Sequence, residues 1–545
     1  MLRISELKLP LDHPADALPA AIAARLGVPE SDLLGWSVWK RAHDARKKAA
    51  ILKVYIVDVE LADEAAVMAR RAGDPHLRPT PDTAYRPVAK APAGGSPRPV
   101  VIGAGPCGLF AGLILAEMGF CPIILDRGKA VRARTKDTWG LWRRGELDPE
   151  SNVQFGEGGA GTFSDGKLYS QVKDPRFLGR KVLTEFVAAG APAEILTEAH
   201  PHIGTFRLVP MVEAMRAKIE ALGGEYRFGH QVTDVEIEQR PGGGRRVAGL
   251  HLKGGAFIAA DHVVLAVGHS SRDTFQMLHE RGVHIESKPF SIGFRIEHPQ
   301  SWIDKALFGP CAGHPDLGAA SYSLSHHCAN GRTVYSFCMC PGGTVVAATS
   351  EPGRVVTNGM SQYSRNERNA NSGFVVGIDP ADYGDDHPLA GIALQGALES
   401  AAFVAGGGGY FAPGQRVGDF LAGRASSDLG SVEPSYKPGV RPTDLAALMP
   451  DYVTAAMREA LPVFGRKIPR YDDPDALLTG VETRTSSPIR ITRGADFQSL
   501  NLAGLFPAGE GAGYAGGILS AAIDGIKIAE AVARAMVGQA AGSRG

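Results

Sequence analysis

The chain has 545 residues, which at about 150 residues per domain predicts three or four structural units. Its 58 basic and 58 acidic side chains balance, so the overall charge gives no reason to expect nucleic acid or an anionic membrane as a partner. Six cysteines are too few for a disulfide scaffold, the N-terminus lacks a signal-peptide pattern, and no apolar run reaches the ~18 residues of a membrane span. We therefore expect a soluble, cytoplasmic protein.

Residues 1–77 predict a small ferredoxin-like α+β domain. Residues 3–9 and 51–61 alternate apolar and polar side chains like strands, and residues 15–26 have helical spacing. A basic cluster at residues 40–48 has no accompanying pattern of aromatic side chains for base stacking. We interpret this cluster as a solvated hairpin tip rather than a nucleic-acid site.

The G-x-G-x-x-G turn of Gly103, Gly105 and Gly108 has the full context of a dinucleotide-binding fingerprint. It follows the strand pattern PVVI and opens a helix pattern, and the next strand ends at Asp126, 23 residues after the first glycine. We expect the helix N-terminus to hold a pyrophosphate, and Asp126 with its neighbour Arg127 to contact the adenosine ribose. An acidic residue at this position argues against the 2′-phosphate of NADP in this site.

Three later segments are predicted to contribute to the same site. QFGEGGAGTFSDGKL has no flanking helix pattern, so its glycines and hydroxyls predict a loop close to the ligand. DHVVLAVGH is similar to the A-T-G stretch that returns the chain to the nucleotide-binding fold in FAD-binding Rossmann proteins. GLFPAGEGAGYAGGIL joins a strand to a helix whose N-terminus faces the ribityl chain and the flavin in many flavoproteins. The predicted cofactor-binding residues in these segments are Gly158, Gly159, Gly161, Thr162, Ser164, Asp165, Ala266, Gly268, Gly509, Glu510, Gly517 and Ile518.

Together these pieces predict an α/β fold. Its parts are a Rossmann-type FAD-binding domain with a parallel sheet, an inserted substrate or cap domain, and the small ferredoxin-like α+β domain at the N-terminus. A proline-rich stretch with the pair Gly94-Gly95 and almost no large apolar side chain indicates a linker. The predicted boundaries are 1–77 for the N-terminal domain, 78–97 for the linker, 98–275 and 481–537 for the FAD-binding domain, and 276–480 for the inserted domain.

Four residues of the predicted inserted domain are candidates for catalysis. The alternation in YSFCMC places Cys338 and Cys340 on one strand face, where they are either a thiolate pair beside the flavin or small buried side chains. Arg295 is suited either to hold an anionic substrate or to form an ion pair with Glu297 or another acid. His298 is the candidate for proton transfer.

The sequence predicts FAD as the cofactor and no bound metal. A second strand, glycine turn, helix and acidic residue in that order is absent from the sequence, so NADH or NADPH stays open only as a diffusible electron donor. The cysteines have no C-x-x-C spacing. The adjacent histidines His326 and His327 would point to opposite faces of a strand, so they are poorly placed to hold one ion.

Long blocks of the sequence resemble a bacterial family of FAD-dependent dehydrogenases, also called NAD(FAD)-utilizing dehydrogenases, which has no agreed substrate. The resemblance covers nearly the whole chain and implies an FAD cofactor and the fold described above rather than a particular reaction. Its blocks are VVIGAGPCGLF at 100–110, ESNVQFGEGGAGTFSDGKLYS at 150–170, YSFCMCPGG at 335–343, TNGMSQYSRNERNANS at 357–372, ETRTSSPIRI at 482–491 and GLFPAGEGAGYAGGI at 504–518.

We therefore expect an FAD-dependent oxidoreductase, a dehydrogenase or reductase that passes a hydride through flavin N5 to or from a small-molecule substrate. The alternative is a non-catalytic flavin-binding redox sensor that recruits RNA or a protein through its N-terminal domain. The sequence indicates neither a membrane partner nor a particular oligomeric state.

Overall fold

The computed structural model describes residues 1–93, 97–240 and 243–542, so the Gly94-Gly95 pair lies outside the described residues. The strands, in chain order, are β1 (Leu2–Pro10), β2 (Leu33–Asp44), β3 (Leu52–Leu61), β4 (Leu77–Pro79), β5 (Val100–Ile102), β6 (Ile123–Asp126), β7 (Glu225–Phe228), β8 (Val232–Gln239), β9 (Arg245–Leu252), β10 (Phe257–Ala259), β11 (Val263–Leu265), β12 (Ile285–Ser287), β13 (Phe290–Pro299), β14 (Ser325–His327), β15 (Thr333–Ala347), β16 (Thr357–Ser361), β17 (Asn369–Ile378), β18 (Ala412–Arg416), β19 (Val440–Pro442), β20 (Leu477–Glu482), β21 (Ile489–Ile491) and β22 (Leu505–Pro507). The helices are α1 (Ala17–Leu26), α2 (Glu64–Arg70), α3 (Pro106–Glu117), α4 (Val131–Arg144), α5 (Leu178–Ala188), α6 (Thr205–Ala221), α7 (Arg272–Glu280), α8 (Gln300–Phe308), α9 (Ala390–Ala405), α10 (Val417–Ala422), α11 (Asp451–Lys467) and α12 (Ile518–Gly542). Short 3₁₀ segments lie at Glu30–Asp32, Ala160–Phe163, Ala193–Leu196, Gly309–Cys311, Pro380–Asp382 and Leu445–Leu448.

The N-terminal elements have the ferredoxin-like order β1-α1-β2-β3-α2-β4. Their strands pair antiparallel in the order β2-β3-β1-β4. Ile4 and Val57 from the sheet and Ile22 from α1 are fully buried between the layers. The predicted ferredoxin-like fold of this region is therefore confirmed.

The segment between this sheet and β5 packs against the main body, which corrects the expectation that it makes few core contacts. Tyr85, Val88 and Ala91 are half-buried against a core cluster to which α3, α5 and α12 contribute. The Ala91 N–H also donates a hydrogen bond to the Met118 carbonyl at 2.8 Å. A few apolar side chains are enough to fix an extended segment on a helix surface, although the segment is rich in proline.

The strands β22, β11, β5, β6 and β7 form a parallel sheet in that order. The side chains of β22, β11, β5 and β6 are buried on both faces, as expected of parallel strands covered by helices, and those of the edge strand β7 are half-buried. α12 packs against α3 on one side of this sheet, where a Cβ on Gly525 would lie 2.2 Å from the Cys107 carbonyl oxygen. The sheet thus closes from three distant pieces of sequence, and the predicted Rossmann-type fold is confirmed.

A second, mostly antiparallel sheet lies between Phe290 and Glu482. Its strands follow the order β14-β15-β17-β13-β20-β18-β19, with β16 paired to β15 and β18 parallel to β19. Val453 and Phe464 of α11 are fully buried in the core of this unit. The strands β8, β9 and β10 form a smaller antiparallel sheet, and β12 pairs with β21. In the part of the chain that the structure describes, no helix combines the length and the apolar character needed to cross a membrane.

Candidate functional site

A cavity of about 460 Å³ lies between the parallel sheet and the inserted antiparallel sheet. Its wall combines the turn after β5, the loop at 154–169, the segment after β11, part of β15 and the start of α12. The predicted cofactor-binding residues that line it are Gly103, Gly105, Asp126, Arg127, Gly159, Gly161, Ser164, Asp165, Ala266, Gly268, Glu510, Gly517 and Ile518. The other predicted cofactor-binding residues, Gly108, Gly158, Thr162 and Gly509, lie outside this wall.

The three glycines after β5 have different physical reasons to lack a side chain. Gly103 has a φ of 103°, and a Cβ there would lie 2.3 Å from the Ala266 carbonyl oxygen. A Cβ on Gly108 would lie 1.8 Å from the Gly103 carbonyl oxygen, so this glycine allows α3 to pack closely against the turn. A Cβ on Gly105 would meet the Gly159 Cα at an ordinary 3.6 Å. At Gly105 the protein has room for a side chain, and that room lies in front of the α3 N-terminus.

The carboxylate of Asp126 is fixed at the cavity wall by two backbone donors. The Ala104 N–H donates to Oδ2 at 2.9 Å, and the Gly128 N–H donates to Oδ1 at 2.8 Å. Burial raises the pKa of Asp126, and these hydrogen bonds act in the opposite direction. The guanidinium of its neighbour Arg127 donates hydrogen bonds to Glu150 and Asp273. Arg127 therefore forms part of the cavity wall and is not available to bind an anion.

The second glycine-rich loop lies directly against the first turn. The Gly158 N–H donates to the Ala104 carbonyl at 2.8 Å, and a Cβ on Gly159 would lie 2.8 Å from the Gly105 Cα. A Cβ on Gly158 would lie 2.2 Å from Thr162 Oγ1, so these two residues shape the loop from inside. Gly158 and Thr162 therefore lie outside the cavity wall, although the sequence pattern predicted that they bind the cofactor.

The C-terminal predicted segment brings a helix N-terminus and an acidic side chain to the cavity. Gly517 and Ile518 open α12 and line the wall together with Glu510. Burial raises the pKa of Glu510 to about 7, with the Gly517 N–H and Lys288 acting in the opposite direction. Gly509 lies against α3, where a Cβ would be 2.8 Å from the Cys107 Cβ.

A buried ionic network that includes part of the cavity wall was not foreseen from the sequence. Arg484 donates through Nε and Nη2 to the two carboxylate oxygens of Glu399, both at 3.0 Å, and through Nη1 to Ser270 Oγ at 3.0 Å. Arg272 donates to the same carboxylate at 2.7 Å. Next to this network, burial lowers the pKa of the cavity residue His269 to about 4, which keeps its imidazole neutral. Glu399 and Arg484 are 85 residues apart in the sequence, so no local sequence pattern predicts that they pair.

The two cysteines of β15 do not share the regular strand face that alternation predicts. The register with β17 gains one residue between Phe337↔Gly373 and Cys340↔Asn371, which is a β-bulge, and Cys338 has a φ of 42°. As a result Cys338 lines the cavity and is half-buried, whereas Cys340 is fully buried outside its wall. Both thiols are free.

Arg295 is fully buried and lies outside the cavity wall, which supports the ion-pair alternative over the binding of an anionic substrate. Its Nη1 donates to both carboxylate oxygens of Glu482 at 2.8 and 2.9 Å, and its Nε donates to Asn371 at 2.8 Å. The remaining Nη2 donates to the Cys338 carbonyl at 2.6 Å. The ion-pair partner is therefore Glu482 rather than Glu297, and Arg295 positions the bulge.

Lys167 is a cavity residue that the sequence reasoning missed. Its Nζ donates to the Met339 carbonyl, beside both thiols. The neighbouring Cys340 thiol, together with Lys167 and Arg295, lowers the pKa of Cys338 well below 9, and burial acts in the opposite direction. The available signal was that Lys167 is the one cation in the block at 150–170.

His298 does not face the cavity. Its imidazole is fully buried, with Nε2 2.8 Å from the Tyr471 carbonyl oxygen, and burial lowers its pKa to about 4. The structure therefore corrects its expected role in proton transfer to a ligand in this cavity.

Among the described residues, one cluster with metal-ligating side chains lies between β14 and α11, outside the cavity wall. The ligand atoms of His326, Cys328 and Glu459 lie within 4.8 Å of one another. Protein contacts already satisfy two of them, since His326 Nε2 is 2.9 Å from Glu459 and the Cys328 thiol donates to the Ala456 carbonyl at 3.5 Å.

Comparison with known proteins places the chain in a family. A family model described as FAD-dependent protein, C-terminal domain-like, matches residues 289–485, and one described as a domain of unknown function matches residues 1–60. A Clostridium beijerinckii protein named "Uncharacterized protein" is 44% identical over 533 residues, which cover 97% of this chain and 98% of that protein. The chain belongs to this family of FAD-dependent proteins. It is accordingly a flavoprotein.

Solved structures match parts of the chain at low identity. Halogenase PltM in complex with phloroglucinol and FAD is 12% identical, with a TM-score of 0.36 and coverage of 81% of this chain and 70% of that chain. The amino acid oxidase NikD in its open form is 13% identical, with a TM-score of 0.32 and coverage of 80% and 94%. Thermovibrio ammonificans THI4 is 21% identical, with a TM-score of 0.25 and coverage of 35% of this chain and 66% of that chain. All three TM-scores lie below 0.5, so these structures inform neither the substrate nor the reaction.

The cavity wall of this flavoprotein fits FAD. The N-termini of α3 and α12 face the same cavity, and each offers free N–H groups and a partial positive charge to anionic or electron-rich ligand atoms. The room in front of Gly105 suits the close approach of a pyrophosphate, which a side chain would prevent. The fixed carboxylate of Asp126 suits a ribose.

Proposed function

We propose that this flavoprotein is an oxidoreductase that transfers a hydride between FAD and a small-molecule substrate, with NADH or NADPH as a diffusible electron donor. FAD bound in the cavity would supply two-electron chemistry through flavin N5. The observation that carries the proposal is the shared wall, because the glycine turn after β5, Lys167 of the second glycine-rich loop and Cys338 of the family-matched sheet line one cavity of about 460 Å³.

At the adenosine end the chain would bind and orient the cofactor. The α3 N-terminus in front of Gly105 would hold the pyrophosphate through backbone N–H groups. Asp126 would accept hydrogen bonds from ribose hydroxyls, since its two backbone donors fix the carboxylate and leave lone pairs free.

At the opposite end the chain would place polar groups around the reacting atoms. The α12 N-terminus at Gly517 would donate to the electron-rich edge of the flavin ring. Glu510 holds a proton close to neutral pH, because burial raises its pKa to about 7. Cys338 of β15 and Lys167 of the loop at 154–169 would present a thiol sulfur and a cation to a substrate. The inserted sheet would keep water from this end of the cavity.

The test is anaerobic reduction of the purified, flavin-loaded protein. We expect NADH or NADPH to bleach the bound flavin, and the reduced protein to pass electrons to a soluble acceptor faster than an equal concentration of free FAD. A Gly105→Val protein supplied with the same free FAD is the matched control, since it keeps the fold without binding the cofactor. Electron transfer no faster than that of free FAD would contradict the proposal.

The N-terminal domain was the basis of the alternative in which the protein recruits RNA. Two of its basic side chains are paired with acids of the main body, since Arg41 contacts Glu198 and the Lys53 ammonium lies 2.6 Å from Asp316. These contacts favour a domain docked on the flavoprotein over a free basic surface.

A further inference from the structure

The two thiols of β15 are one residue apart and have opposite surroundings. Cys338 is half-buried and lines the cavity. Cys340 is fully buried, with its Sγ 3.4 Å from Nη2 of Arg295 and 3.3 Å from the Cys338 carbonyl oxygen. A molecule in the cavity can therefore reach the first sulfur and not the second.

The surroundings also separate the two thiols by reactivity. Lys167 and Arg295 favour the thiolate of Cys338, and the thiolate is the nucleophilic form of cysteine. The neighbouring Cys338 thiol and burial raise the pKa of Cys340, against Lys167 and Arg295, so Cys340 keeps its proton. Cys107 lines the same cavity without such partners, and burial raises its pKa well above 9, so one cavity holds a reactive thiol and an inert one.

The backbone at the bulge brings the pair within reach of each other. In a regular strand, residues i and i+2 have Cα atoms about 6.6 Å apart, near the upper end of the ~4.4–6.8 Å range of disulfides. The left-handed φ of 42° at Cys338 breaks that extended geometry, and the Cys340 thiol turns back to donate to the Cys338 carbonyl at 3.3 Å. A bond between Cys338 and Cys340 would then close without a second strand.

We propose that Cys338 and Cys340 form a dithiol redox site that reduces a small disulfide-containing substrate, with Cys338 as the attacking thiolate and Cys340 as the resolving thiol. This inference deepens the proposed oxidoreductase function and rests on it for the shared cavity. The Cys338 thiolate attacks one substrate sulfur, breaks the substrate disulfide and releases one thiolate. Cys340 then attacks the Cys338 sulfur, its proton passes to a leaving thiolate, and the second substrate half departs. The substrate gains two electrons and the cysteine pair loses two.

The test uses full-length, flavin-loaded protein in which the partly exposed thiols Cys121 and Cys311 are replaced by serine. The probe is the aromatic disulfide dithiobis(nitrobenzoate) under native conditions. We expect two thionitrobenzoate ions per chain, and an intact mass lower by two hydrogens with no adduct. In Cys340→Ala we expect one ion and a stable adduct on Cys338. In Cys338→Ala we expect release to slow by about tenfold or more, because the remaining thiols are buried and protonated.

Lys167 is proposed as a positioning residue for the Cys338 thiolate. Lys167→Met should slow release of the first ion, and Lys167→Arg should restore it. A merely structural role for Lys167 would give equal rates in both variants.

Several outcomes separate the two proposals. A wild-type chain that keeps a stable adduct, as Cys340→Ala is expected to do, would overturn the dithiol site even where FAD is bound and reducible. Two released ions from a chain whose flavin passes no electrons would support the dithiol site and overturn the oxidoreductase proposal. Bound flavin and circular dichroism of each variant show that it is folded, and Cys340→Ser provides a second resolving-thiol variant with closer geometry.

Discussion

At Gly105 a bound ligand, rather than the protein, requires the absence of a side chain. Its φ of −75° is open to any residue, and the space for a Cβ is free apart from an ordinary 3.6 Å contact with Gly159. Gly105→Val should therefore abolish FAD binding and leave the melting temperature of the flavin-free protein nearly unchanged. Flavin content and thermal melting of the apoprotein measure the two effects.

Gly108→Ala is the matched control for this substitution. Its Cβ would overlap the Gly103 carbonyl oxygen at 1.8 Å, so the flavin-free protein should itself lose stability. Normal flavin content in Gly105→Val would show that the turn serves another purpose.

Glu510 should impose a pH dependence on the stability of the flavin-free protein. Burial raises its pKa from 4.5 to about 7, so between these pH values the folded chain holds a proton that the unfolded chain has lost. Its contribution is fully present below pH 4.5 and is lost as the pH rises through 7, by up to about 1.4 kcal/mol per pH unit. Glu510→Gln should flatten the free energy of unfolding across this window, measured by denaturant titration. A slope identical to the wild-type slope would contradict this assignment.

The roles of some individual residues could be predicted from the sequence, and those of others could not. Gly103 and Asp126 were predicted because their roles follow from a short local pattern of strand, turn and helix. For Arg295 the choice between binding a substrate and forming an ion pair stayed open, because its partner Glu482 lies 187 residues away in the sequence. Lys167 was overlooked because its significance comes from the thiols, which lie on another element.

The buried carboxylate of α9 joins elements that lie far apart in the sequence. Glu399 receives hydrogen bonds from Arg272 at the start of α7 and from Arg484 after β20, and these arginines lower its pKa to about 2 against the effect of burial. Glu399→Gln should cost about 3–5 kcal/mol of unfolding free energy, because two buried guanidinium groups lose their counter-charge. Denaturant unfolding at neutral pH measures the loss.

Glu351→Gln is the control within the same network. The Glu351 side chain is 30% exposed, so water can replace much of the interaction between its carboxylate and the arginines. We therefore expect a loss of about 1 kcal/mol or less of unfolding free energy. Equal losses in the two variants would show that burial does not govern this network.

Elements with regular periodicity were predictable and their irregularities were not. The hairpin of β2 and β3 and the strand–turn–helix of β5 and α3 follow local patterning. The bulge that places Cys338 at the cavity depends on the pairing of β15 with β17. The segment YSFCMC by itself predicts a regular strand in which successive side chains alternate between the two faces.

The N-terminal domain docks on the main body through an aromatic ring between two cations. The ring centroid of Trp39 lies 3.8 Å from the guanidinium carbon of Arg3 and 4.4 Å from that of Arg180 on α5. Trp39→Ala removes the cation–π interaction with Arg180 and should weaken docking by about 1–2 kcal/mol, which would raise the rate of limited proteolysis at residues 80–93 by about tenfold. The more exposed Trp36, on the same strand, gives the control Trp36→Ala, which should leave the rate unchanged.

The architecture of the whole molecule followed from sequence because each of its three Rossmann pieces carries its own local signature. The packing between units did not follow in the same way. Residues 78–97 have the composition of a free linker, yet Tyr85 and Val88 cover helices of the main body. Composition describes what a segment can bury, whereas docking depends on the surface that the rest of the fold presents to it.

The identity and amount of the flavin released by the protein test the central claim most directly. The purified chain is denatured, and the released cofactor is separated by chromatography and counted against protein concentration. Because the turn at Gly105 and the carboxylate of Asp126 are suited to a pyrophosphate and an adenosine ribose, we predict one FAD per chain. Release of FMN, or a colourless chain that does not take up added FAD, would contradict the account.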